Sequence, residues 1–243
     1  MKLDILAFGA HPDDIELACA GTLMKSIDEG KKVGIIDLTR GELGTRGDAD
    51  TRTAEAAAAA KVMGVHLREN LNLKDAFFMN DEDTLKKIVT VIRKYKPVIV
   101  LCNAPQDRHP DHGKSAKLIA DAAFLSGLRK IETFDGSIQQ EAWKPSYVFN
   151  YLQDQYLQPT FLVDVSGYQD RKIEAILCYK SQFFNPENSG EPQTYISSPI
   201  FLEALKGKEA GFGKQVGVGY AEGFISQKLL AISSLETIVA NPT

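Results

Sequence analysis

LDILAFGAHPDD, residues 3–14, is the stretch on which the fold turns. Leu3–Gly9 is an apolar run of strand length, and Gly9–Pro12 reads as a tight turn. Ile15–Glu29 then follows with apolar residues at helical spacing. The same alternation continues outward. Lys32–Thr39 (KVGIIDLT) predicts a second strand, Arg40–Asp50 a Gly-rich loop, and Thr51–Met63 an alanine-rich helix. His66–Leu73 predicts a strand, Asp81–Tyr95 a helix, Pro97–Cys102 a buried strand and Asp111–Ser126 a helix. Strands alternating with helices predict an α/β fold, a Rossmann-like and mostly parallel sheet with helices on both faces. Further on, Tyr147–Leu152 and Thr160–Val165 read as strands and Tyr168–Ser181 as a helix. Phe183–Gly219 is rich in Gly, Pro, Asn and Ser and is expected to be an irregular lid or binding loop. The whole chain reads as one domain, with a core over residues 1–130 and a substrate-shaping portion over residues 131–243.

Composition narrows the function classes. The chain has 243 residues, 44% hydrophobic and 25% charged, ordinary for a globular protein with a full core. A net charge of −4 argues against general affinity for nucleic acid or anionic membranes. Three cysteines far apart in sequence fit buried thiols better than disulfides. The N-terminus lacks the longer apolar stretch and cleavage site of a signal peptide, and no run approaches a membrane span. A cytoplasmic protein is expected.

The four histidines carry the most information. Three lie in two short acidic segments, Ala10-His11-Pro12-Asp13-Asp14 and His109-Pro110-Asp111-His112. Each segment follows a predicted strand and precedes a helix. Loops at the carboxyl ends of parallel strands border the ligand crevice, so the segments meet if strands one and four are neighbours. The first turn does not suit a dinucleotide, because paired carboxylates would oppose a pyrophosphate at the helix start. It does suit a divalent metal. Imidazole and carboxylate favour zinc and related ions, and two histidines with one aspartate leave a position open for water. Only one of Asp13 and Asp14 need ligate, and the other would then be free to act as general base. Taken singly, each segment also fits an ordinary helix start, with Asp14 or Asp111 as cap and Pro12 or Pro110 beside it.

The pair AHPDD and HPDH resembles the LmbE-like (PIG-L) family of metal-dependent sugar deacetylases. DLTRGELGTRG, KVMGV, YKSQF and VGVGYAEGF resemble in particular its bacillithiol-biosynthesis branch. The resemblance implies zinc held by His11, Asp14 and His112, with Fe(II) or another divalent ion as the alternative, and Asp13 as general base. It implies that His109 stabilises the oxyanion or protonates the leaving amine, with Asp111 orienting its imidazole. Arg52 matches a substrate-binding arginine and Tyr195 a tyrosine that reaches the oxyanion. A homo-oligomer, such as a hexamer, is also implied.

Arg40, Arg46 and Arg52 share one Gly-rich segment and predict an anionic substrate, because guanidinium pairs carboxylates bidentately. N-acetylglucosaminyl malate would fit, and the expected reaction is release of its acetyl group. Another GlcNAc derivative, a chitooligosaccharide or an inositol glycoside, is the close alternative. An Fe(II) oxygenase shares the two-histidine-one-carboxylate set but has no use for Asp13. A non-catalytic sugar-binding or metal-storage protein is the third class.

Overall fold

The computed structural model describes residues 1–184 and 190–234. Its first half alternates β1 (Ile5–Gly9), α1 (Asp14–Asp28), β2 (Val33–Thr39), α2 (Ala49–Met63), β3 (Leu67–Leu73), α3 (Glu82–Tyr95), β4 (Ile99–Cys102) and α4 (Pro110–Leu125). A short hairpin, β5 (Phe134–Asp135) and β6 (Ile138–Gln139), leads to β7 (Tyr147–Tyr151) and β8 (Phe161–Asp164). A 3-10 turn (Ser166–Tyr168) then precedes α5 (Gln169–Leu177), α6 (Phe201–Val216) and β9 (Ala221–Ser226).

Among the described residues, seven strands form one sheet in the order β3-β2-β1-β4-β7-β9-β8. The first five strands in that order are mutually parallel, and β9 runs antiparallel between β7 and β8. β1 lies between β2 and β4, so the chain reverses its winding there and opens a crevice above the carboxyl ends of β1 and β4. That is the juxtaposition the two histidine segments require.

Strand periodicity feeds two cores. Leu6 and Phe8 of β1 face α3 and α4 with Ile88, Ile92, Leu118 and Ile119, whereas Ile5 and Ala7 face α1 with Ile15, Leu23 and Met24. The alanine-rich face of α2 packs Ala56 and Ala59 against Ile176 and Tyr179. Asp48 and Asp81 cap α2 and α3 by accepting from Thr51 N (2.7 Å) and Thr84 N (2.9 Å).

Helix α1 is kinked at Cys19 (φ −143°, ψ 16°). Backbone N–H groups beyond the kink, at Gly21 and Thr22, donate to the Glu222 carboxylate of β9 at 2.9 and 2.7 Å. Lys172 of α5 neutralises that carboxylate at 2.6 Å and Glu209 of α6 at 2.5 Å, all fully buried. This cluster fixes the helix whose first turn carries Asp14.

One expectation fails here. Much of Phe183–Gly219, expected to be irregular, is the sixteen-residue helix α6, while residues 185–189 of that tract lie outside the described residues. Gly207, Gly211 and Gly213 lower its intrinsic helix propensity and hide it from a composition reading. Gly213 is there for proximity: a Cβ would sit 2.6 Å from Val218 O, where the chain turns back into β9. No described helix is long and apolar enough to cross a membrane.

Candidate metal centre and cleft

The turn after β1 is held from β4. Ala10 N donates to Asn103 Oδ1 at 3.0 Å, and Asn103 Nδ2 donates to Asp14 Oδ2 at 3.0 Å. Asp14 Oδ2 also accepts from His11 N at 2.9 Å, and Oδ1 accepts from Gln153 Nε2 at 2.9 Å. Asp14 is therefore gripped on both oxygens and buried.

His11 and His112 converge on it. Asp14 Oδ1 lies 3.1 Å from His112 Nε2, and Oδ2 lies 3.7 Å from His11 Nδ1. The opposite nitrogen of each ring meets a carboxylate: His11 Nε2 is 3.0 Å from Asp75, and His112 Nδ1 is 2.8 Å from Asp107. A carboxylate behind each imidazole is the arrangement that fixes a metal-ligating histidine in orientation. Among the described residues, two groupings of side-chain atoms within 4.8 Å of one another could hold an ion, His11–His109–His112 and His11–Asp75–Asp111.

The charges respond to burial. Burial disfavours the imidazolium of His11, but hydrogen bonds to Asp111 and Asp75 and the charge of Asp14 outweigh it and raise its pKa to about 9. His112 is likewise penalised by burial and raised to about 10 by Asp14 and Asp107. Burial would raise Asp14, yet both histidines hold it well below the usual carboxylate range. Metal-free, the cluster thus holds protons where a cation would sit.

Asp13 precedes α1 with φ 111°, a left-handed conformation costly for a non-glycine residue. Its side chain makes no capping bond, so the carboxylate is free to face the cleft. Burial pushes its pKa up to about 7, against the pull of Arg52. Arg52 Nη2 lies 3.1 Å from Asp13 Oδ2 and also donates to Pro12 O. The guanidinium packs over Gly41 (φ 64°), where a Cβ would collide with it.

Other expected residues fall as follows. His109 caps α4, its Nδ1 accepting from Asp111 N at 3.3 Å, and its ring centroid is 4.6 Å from that of His11. Burial, reinforced by the positive charge on His11 and His112, lowers its pKa to about 4. The carboxylate of Asp111, expected to orient the His109 imidazole, turns to other partners. Asp111 accepts from Ala76 N and Lys114 Nζ, each at 2.9 Å, and approaches His11 Nε2 at 3.4 Å. A fully buried carboxylate needs donors, and the Nδ1 of a neutral His109 is already an acceptor. Arg52, expected at the substrate, lines the cleft and pairs there with Asp13, because a buried guanidinium needs a carboxylate. Tyr195 is 55% exposed, lines the cleft, and donates its hydroxyl to Asp154 at 2.9 Å. Arg40 turns to Asp50 outside the cleft, whereas Arg46 is buried and lines it. The fourth histidine, His66, accepts from Val33 N just before β3 and lies outside the cleft lining.

Asp75, Asn103, Asp107 and Gln153 are the supporting residues that motif reading missed. Asp75, Asn103 and Gln153 follow β3, β4 and β7, so the rule that strand ends line the crevice could have found them. Asp75 and Gln153, with His11, Asp13, Asp14, His109 and His112, border a cleft of about 340 Å³.

A family model described as GlcNAc-PI de-N-acetylase (PIG-L) matches residues 6–123, the span that carries His11 to His112. The chain is 30% identical over 229 residues to the diacetylchitobiose deacetylase of Thermococcus kodakarensis, covering 90% of this chain and 81% of that one. It is 24% identical over 192 residues to the probable N-acetyl-alpha-D-glucosaminyl L-malate deacetylase 2 of Bacillus anthracis, covering 74% and 81%. The crystal structure of the conserved protein TT1542 from Thermus thermophilus superposes with a TM-score of 0.83 at 34% identity, covering 95% of this chain and 98% of that one.

Proposed function

This chain belongs to the PIG-L family of de-N-acetylases and is a hydrolytic enzyme acting on N-acetylated sugars, and from that premise we propose how its cleft works and what it takes. The observation that carries the reading is the convergence of His11, Asp14 and His112 with the uncapped carboxylate of Asp13 beside them. The donor set fits a divalent cation, zinc or Fe(II), because each imidazole is backed by a carboxylate and Asp14 is oriented by Asn103 and Gln153. When bound, such an ion polarises the acyl carbonyl and acidifies water.

The protein's own groups supply the rest. Asp13, with a pKa near neutrality, takes the proton of the attacking water and afterwards delivers it to the departing amine. Arg52 holds that carboxylate in place. His109 uses Nδ1 as an acceptor, so its neutral form carries the proton on Nε2 and can donate it to the developing oxyanion. Asp111 contributes through His11 and Tyr195 from the rim.

Our reading of the substrate is N-acetylglucosaminyl malate. Arg46 and Arg108 line the cleft, and the buried Nε of Arg46 has no protein partner, which supports an anionic aglycone. Diacetylchitobiose is the second reading, favoured by the 30% identical relative. The working form is a cytoplasmic homo-oligomer in which residues 131–243 shape the substrate site, contributing Gln153 and Tyr195 to the cleft. Amine release from the malate glycoside, diacetylchitobiose and free GlcNAc, each with wild type and Asp13→Ala, tests the whole reading. Preference for the malate glycoside, lost in the variant, is expected. Equal rates on all three sugars would remove the anionic assignment, and no amine from any would remove the deacetylase mechanism.

A further inference from the structure

Beside the cleft lies a small chamber that the reaction described above does not use. It has room of about 20 Å³ at the radius of water, enough for about one water-sized or methyl-sized group. His112 and Gln153 border it on the metal side. Leu17, Ile196, Phe201 and Leu205 give it apolar walls. Leu17 stands there by helix geometry: three residues after Asp14, it presents its side chain one turn along the same face of α1. The outer side is closed by the Arg108–Asp154 ion pair (2.9 Å) and by Tyr195, over whose ring Arg108 stacks at 4.6 Å.

A second chamber of about 80 Å³ adjoins it and has Lys208 in its lining. Gln153, Asp154, Tyr195, Phe201 and Leu205 line both chambers, and Phe201 and Leu205 are the phenyl and aliphatic side chains of that shared boundary. Leu205 is 6% exposed, and the Phe201 ring packs against Phe183 and Tyr195 with centroids 5.9 and 5.5 Å apart, which holds the partition in place.

From this geometry we infer that the small chamber receives the methyl of the substrate's acyl group, and that the Phe201–Leu205 partition restricts the enzyme to acetyl or shorter acyl chains. The inference rests on the amide-hydrolase reading and adds an acyl-length limit set by named residues. An acyl carbonyl reacting at the His11–Asp14–His112 cluster must direct its methyl to an apolar wall, and the wall next to His112 is this one. A longer chain meets Phe201 and Leu205 after one carbon. One extra methylene against a closed apolar pocket is worth about 10- to 200-fold in specificity.

The test compares kcat/KM for N-formyl, N-acetyl, N-propionyl and N-butyryl forms of glucosaminyl malate and of chitobiose. Wild type should drop about 10-fold or more from acetyl to propionyl. Phe201→Ala and Leu205→Ala open the small chamber into the larger one and should raise the propionyl-to-acetyl ratio about 10-fold or more. Ile196→Phe fills the chamber and should depress acetyl more than formyl. Ratios within each variant cancel general losses of activity, and half-buried Phe201 carries the test if Leu205→Ala does not fold. Wild-type turnover of butyryl equal to acetyl, or active variants with an unchanged acyl profile, would overturn the inference while leaving the deacetylase intact. Failure of wild type on every acyl form would instead overturn the amide-hydrolase reading and this inference with it.

Discussion

The guanidinium of Arg52 and the carboxylate of Asp13 form a buried ion pair at 3.1 Å, next to the histidines that converge on Asp14. The pair joins a residue at the start of α2 to one at the start of α1, about forty positions apart in sequence. Its consequence is chemical. Burial alone would push Asp13 further up, and Arg52 opposes that rise and leaves the group at about 7.

Removing Arg52 should therefore raise the pKa of Asp13, so that less of it is ionised at neutral pH. The acid limb of the kcat/KM profile of Arg52→Ala should move to higher pH, with Arg52→Lys restoring part of the shift. Asp13→Asn should lose about 10²- to 10⁴-fold in kcat, the range of a general base, and Arg52→Ala a fraction of that. An acid limb unmoved in Arg52→Ala, with only KM raised, would return Arg52 to direct substrate binding.

Metal uptake should release protons. Metal-free His11 and His112 have pKa values of about 9 and 10, so both are protonated at pH 7 and must become neutral to ligate. Binding at pH 7 should release about two protons, and apparent affinity should fall about 100-fold per unit of decreasing pH. Calorimetry in two buffers of different ionisation enthalpy counts those protons. A count near zero would mean that the histidines are already neutral in the free protein.

The carboxylates behind the histidines should matter to the ion more than to the fold. Asp75→Asn and Asp107→Asn should weaken metal binding about 10- to 100-fold. His11→Ala and His112→Ala should abolish it, and Asp13→Ala should retain it. A chelator competition assay separates these classes. Equal metal loss in Asp13→Ala and His11→Ala would contradict the division between base and ligands.

Lys172 should be a stability residue. It is fully buried between Glu209 and Glu222, so Lys172→Met leaves two carboxylates without a counter-charge and should destabilise by roughly 3–5 kcal/mol. Urea unfolding measures the loss. A change below about 1 kcal/mol would show that the glutamates take up protons instead of remaining as buried anions.

Much of this molecule was legible in its sequence. Apolar runs of strand length, alternating with helical spacing, determined the α/β class, because side-chain periodicity reports which faces are buried. The two segments that carry His11, Asp13, Asp14, His109 and His112 could be found because they follow strands at the crevice edge, and a parallel sheet gathers such ends on one side. The choice of Asp14 over Asp13 as ligand came from the family resemblance. The helix α6 was hidden by three glycines, and it forms because Leu205 and Phe212 are buried against the rest of the fold, which no local propensity encodes. The partners of the site residues were hidden for a related reason. Only tertiary structure sends Asp111 to His11, Arg52 to Asp13 and Asp75 behind His11, because a buried charge takes the nearest complementary group in space. The sequence alone determined which residue types meet at the crevice. Which of them share a proton, hold a neighbour in place or wall off a chamber was decided by distances that exist only after the sheet has formed.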